Sequence, residues 1–130
     1  MSLSLTDVAN YLESQFVVPN NLTVAIQVNR LQDTPDAAIS FTTAGGGLPI
    51  MDGAFETCHV RFRVRDTNDA LAETLALSLH EFWSGHEGSF AMGSTYVMSV
   101  MPSSGPPQYF DRDVDNRTTY MGTYQFYVAV

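Results

Sequence analysis

The stretch Phe55-Glu56-Thr57-Cys58-His59-Val60-Arg61-Phe62-Arg63-Val64-Arg65 decides how this chain is read. Cys58, Val60, Phe62 and Val64 fall on one side of an extended backbone. Thr57, His59, Arg61, Arg63 and Arg65 fall on the other. A period of two sustained this long is the signature of a strand, not of a helix. One side is apolar and the other carries charge, so the sheet is expected to be covered on one face only.

Working towards the C-terminus, Asp66-Thr67-Asn68-Asp69 supplies caps for a helix from Asn68 to Ser84. Leu71, Leu75, Leu79 and Phe82 form its apolar stripe, and Gly85 is placed to end it. Thr95 to Met101 reads as a strand. Pro102 to Asn116, rich in Ser, Gly, Pro and Asp, reads as a loop. Thr118 to Val130 closes the chain as a long strand with Tyr120, Gly122, Tyr124, Phe126, Val128 and Val130 on one side.

Towards the N-terminus, Ala38 to Thr43 is a short strand. Gly45-Gly46-Gly47-Leu48-Pro49 breaks the pattern and reads as a flexible loop that a neighbouring molecule would order. Gln32 to Asp36 is a turn, and Leu22 to Asn29 is a strand with Val24, Ile26 and Val28 in alternation. The first segment is a helix capped by Ser4 or Thr6. Leu5, Val8, Leu12 and Phe16 follow its spacing, Asp7 favours its dipole, and Pro19-Asn20-Asn21 ends it. The expected class is α+β: a mostly antiparallel or mixed sheet of about four to five strands, with two helices packed on one face, in one domain over 1–130. The second helix is a candidate crossover between parallel neighbours.

Composition bounds the function. The 130 residues are 45% hydrophobic and 15% charged, a folded balance. The net charge is −8 and all six basic residues are arginines. That is a poor basis for gripping nucleic acid, which needs clustered cations. Cys58 is the single cysteine, so neither an intrachain disulfide nor a cysteine-based zinc site is expected. The opening residues lack the basic start of a signal peptide, and no apolar run approaches the roughly 20 residues that span a bilayer, so no membrane partner is expected.

Several fragments imitate chemical motifs. His80-Glu81 opens like a zinc-protease helix, but the position four on is Ser84. His86 lies six on, about 240° around a helix from His80. Asp111-Arg112-Asp113-Val114-Asp115-Asn116 begins like a calcium loop, yet Asn116 stands where glycine is required and Gly122 where a bidentate glutamate is required. The bland alternative is a solvated acidic loop. Gly45-Gly46-Gly47 lacks the lysine of a phosphate loop. No metal, cofactor or catalytic residue is assigned. The group that stands out is Arg61, Arg63 and Arg65: like charges along one strand repel unless anions face them. Arg61, Arg63 and Arg65 are therefore expected at a subunit interface, answered by Asp111, Asp113 and Asp115 of a second copy.

Taken together, Cys58 through Arg65, Ala70 through Phe82, Asp113 through Arg117 and Tyr124 through Val128 resemble the tail terminator (minor capsid) proteins of long-tailed bacteriophages. The resemblance covers most of the chain and is one of pattern. It implies a non-enzymatic virion protein that forms a ring, usually six-fold, at the end of the tail tube. Its implied partners are further copies of itself, the tube protein and the head-completion or connector protein. DNA would pass through the lumen without specific binding. Six copies at −8 each give about −48, which discourages DNA from sticking there. Two alternatives stand beside this. One is another neck or tail subunit, such as a head-closure, tail-completion or tube protein. The other is a small ligand-binding domain or enzyme with Trp83, Phe90 and Tyr96 lining a pocket.

Overall fold

The computed structural model describes residues 3–19, 24–29, 36–50, 55–86, 88–103, 105–113 and 115–129, and for 44–50 and 55 the backbone alone. These residues form α1 (Leu5–Gln15), β1 (Ala25–Val28), β2 (Ala38–Ile50), β3 (Phe55–Asp66), α2 (Asp69–Ser84), β4 (Phe90–Met92), β5 (Thr95–Pro102), β6 (Gln108–Arg112) and β7 (Thr118–Ala129). The fold is α+β. The sheet has seven strands, not four to five, in the order β1-β2-β3-β7-β5-β4 with β6 also on β7.

β3 is central, as its two-faced pattern requires. Cys58, Val60, Phe62 and Val64 are each 4% exposed or less. β2 and β7 flank β3 antiparallel, and β7 matches it residue for residue from Phe55↔Ala129 to Asp66↔Thr118. The extra strands arise around β7. β5 pairs with its second half and β6 with its first, so the two are one interrupted strand along a single edge. Between them, Ser103 donates its N–H to the Thr123 carbonyl at 2.9 Å. Gly122 leaves room there for Pro107, which a Cβ would crowd at 3.2 Å. The Pro- and Asp-rich composition of 102–116 hid β6.

The reading of Gly45-Gly46-Gly47 as a loop is corrected. Their backbone continues β2, with register shifts between Thr43 and Gly46 and between Gly46 and Pro49. β3 offers a continuous template, and glycines absorb the bulges that the shifts demand. The crossover is corrected too. β3 and β5 run parallel, but β7 lies between them, antiparallel to both. The parallel neighbours are β1 and β2. The expected turn over Gln32–Asp36 falls mostly on residues 30–35, outside the described part.

Both helices pack on the same sheet face. α2 is capped by Asn68, whose side chain accepts from the Leu71 N–H at 2.9 Å. It buries Ala72, Leu75, Ala76, Leu79 and Trp83. The stripe is rotated from the expected one because Trp83, fully buried among Tyr11, Phe62, Phe82 and Phe126, outweighs the partly exposed Leu71 and Phe82. Burying such a side chain contributes roughly 2–3 kcal/mol, against about 0–1 for an exposed ion pair, so the aromatic core decides the packing.

Ser4 caps α1. α1 touches β1 and β2 at one side of the sheet and β4 at the other, so the sheet curls around it. Asp7 ties that closure, accepting from the Ser94 hydroxyl at 3.2 Å and the Thr95 hydroxyl at 3.0 Å. Tyr11 adds a second tie, its hydroxyl 2.8 Å from His86 Nε2 and its ring stacked on Phe90. No helix among the described residues is long and apolar enough to cross a membrane.

Candidate functional site

Two-sided alternation leaves one sheet face without helices. β3 puts His59, Arg61 and Arg63 there. Register sets Arg61 between Thr42 and Thr123, and Arg63 between Ser40 and Met121. β7 adds Gln125 and Tyr127, and β5 adds Ser99 and Met101 beside them. Phe110 of β6 comes under Arg63, whose guanidinium carbon is 5.8 Å from the ring centroid. Met101 is 53% exposed and Phe110 48%. A shallow groove of about 180 Å³ lies between Thr57, Ser99, Met101, Gln125 and Tyr127. A second hollow, of about 150 Å³, sits at the break between β5 and β6.

The three arginines divide. Arg61 is exposed and Arg63 half-buried, and neither makes an ion pair among the described residues. Arg65 is 4% exposed and donates from Nε to the Asp36 carbonyl at 3.0 Å. It holds the chain entering β2 and does not stand on the open face with the other two.

The three acidic residues divide as well. Asp113 accepts from the Arg117 backbone N–H at 2.9 Å and from Arg117 Nε at 2.8 Å. Asp115 and Asp36 approach the same guanidinium at 3.4 Å. Arg117 is almost wholly buried, so it occupies the centre that a calcium loop would give to an ion. Asn116 adopts φ +61°, the left-handed conformation that asparagine tolerates and that glycine would supply in such a loop. Burial works to raise the Asp113 pKa, but the hydrogen bonds and charge of Arg117 prevail and hold it below the ordinary carboxylate range. Asp111 remains exposed on β6.

The remaining candidates are structural. His80 Nδ1 lies 2.8 Å from the Tyr124 hydroxyl, and burial raises that phenol's pKa. His86 is engaged at both nitrogens, by the Phe82 carbonyl at 2.7 Å and by Tyr11. Burial, with the nearby Glu56 carboxylate, pushes the Cys58 thiol up to about 11, where it is a poor nucleophile. Among the described residues no group of three His, Cys, Asp or Glu side chains gathers as a metal site would require. Trp83, Phe90 and Tyr96 do not converge on a pocket: Trp83 is core, Phe90 stacks on Tyr11, and Tyr96 is exposed with its hydroxyl 2.6 Å from that of Ser89.

Phe110, Met101, Met121 and Arg117 were not singled out from sequence as site residues. Met121 was legible, since it alternates with the inward set of the last strand. Phe110 was not, because nothing in 102–116 announced a strand. No protein-family model matches the chain, and no curated protein matches it in sequence.

Proposed function

We propose that this chain is a non-enzymatic structural subunit that assembles with copies of itself into a ring, in the manner of a phage tail terminator. In that role it would close the tail tube in the virion, present a surface to the head connector, and let DNA pass through the lumen. The observation that carries the reading is the open sheet face. Two arginines that no carboxylate answers among the described residues stand beside exposed Met101 and Phe110 on a broad surface that the helices leave bare. Arginine, methionine and aromatic side chains of this kind are enriched where proteins meet. The α+β layout, with both helices on one face, leaves the other face free for such a contact. The net charge of −8 suits a channel that must not hold DNA.

The test is electron microscopy of the purified protein together with its mass in solution. Rings of about six copies with a central opening are expected. A compact dimer that binds a small ligand or metal in stoichiometric amount would overturn the reading.

A further inference from the structure

Resting on that reading, we infer that the helix-free face of one copy seats on the solvent side of α2 in the next copy. Glu73, Leu77 and Glu81 succeed one another at four-residue steps on α2, and all three are exposed. Each step rises about 6 Å. Alternate residues on a strand face are roughly 6.8 Å apart. Glu73 and Glu81 lie two such steps, about 12 Å, apart against about 6.8 Å for Arg61 and Arg63, so the contact brings one carboxylate, Glu81, to the arginine pair.

The solvent side of α2 is acidic apart from Arg112, which pairs with Asp69 at the start of the helix at 2.6 Å. α2 contains no lysine or arginine. Among the described residues the Glu81 carboxylate has no hydrogen-bond or ion-pair partner, and Glu73 accepts from the Tyr120 hydroxyl at 3.3 Å. On the sheet side, Arg61 and Arg63 likewise lack carboxylates. Asp111 is on that side but pairs with Thr119, level with Arg65 and away from Arg61. The acidic loop is a poorer match, because Asp113 and Asp115 are already held by Arg117.

Shape agrees with charge. Ala70 and Thr74 keep the exposed side of α2 low, and Leu77, 41% exposed, is its apolar point. It would meet Met101, Met121 or Phe110 across the contact. The helix layer and the bare sheet face lie on opposite sides of the sheet. A contact between them is heterologous and repeats from copy to copy, closing into a ring where each step turns by the ring's angle and running on as an open filament otherwise. Copies at −8 each repel at long range, so local complementarity must supply the attachment.

A charge-swap cycle tests this, with sedimentation equilibrium of the wild type, Arg61→Glu, Glu81→Arg and the double variant. Each single reversal is expected to weaken self-association by about tenfold or more, and the double variant to recover most of the loss. Both positions are exposed, so melting temperatures are expected to stay within about 2 °C and report that folding is intact. Equal losses without recovery in the double variant would overturn direct pairing. A loss with Arg61→Glu and none with Glu81→Arg would overturn the α2 contact yet leave the open face as an interface. A wild type that stays monomeric at every concentration would overturn both.

Discussion

Arg117 shows how far a single side chain can redirect the meaning of a motif. Read along the sequence, Asp111, Asp113 and Asp115 have the spacing of cation ligands. In the fold, the guanidinium that follows them takes the ion's place. Asp113→Asn removes a charge-assisted pair and is expected to cost about 2 kcal/mol at neutral pH. The pH dependence has a definite sign. The folded-state pKa of Asp113 is depressed, so its contribution is complete above the ordinary aspartate value of about 3.9 and is lost as pH falls through the lower folded value. Thermal melts of the wild type and Asp113→Asn should therefore differ at pH 6 and converge in strong acid. A constant difference across that range would contradict the pairing. Sequence made Arg61 and Arg63 legible, because alternation alone sends them outward. It could not show that Arg65, in the same alternation, is taken up by the Asp36 carbonyl, since that contact joins residues 29 positions apart.

At the scale of elements, the strong periodic segments were read correctly and the weak ones were missed. Both helices and the strands around 25–28, 38–43, 55–65, 95–101 and 118–129 carry their own pattern. β4 and β6 do not: β4 has three residues, and β6 has no buried residue and no apolar alternation. Each exists because a neighbouring strand offers hydrogen bonds to it. The turn between β4 and β5 illustrates a constraint of the same tertiary kind. Gly93 has φ +59°, and a Cβ there would strike the Asp7 carboxylate. Asp7 is also the acceptor that ties α1 to this turn through Ser94 and Thr95. Gly93→Ala combines left-handed strain with that collision and is expected to destabilise by about 1–2 kcal/mol. Denaturant unfolding measures it. A neutral result would mean that α1 is not closed over the sheet through Asp7.

The described residues form a curled sheet closed on one side by two helices, with no helix among them on the other. Glu73 and Glu81 stand on the helix side, and Arg61 and Arg63, without ion pairs among the described residues, stand on the other, which also carries Asp111. The fold class was legible because two-faced strands and amphipathic helices can bury their apolar sides only against each other. The curl was not, because it depends on α1 reaching both sides of the sheet at once. The central claim is that the bare face is where copies meet. The most direct measurement is the sedimentation mass of the wild type and Arg63→Glu over a range of concentrations. The wild type should rise to a closed oligomer, and Arg63→Glu should remain dissociated at concentrations where the wild type is assembled. If both variants sediment alike, whether as monomers or as the same oligomer, the bare face is not the interface.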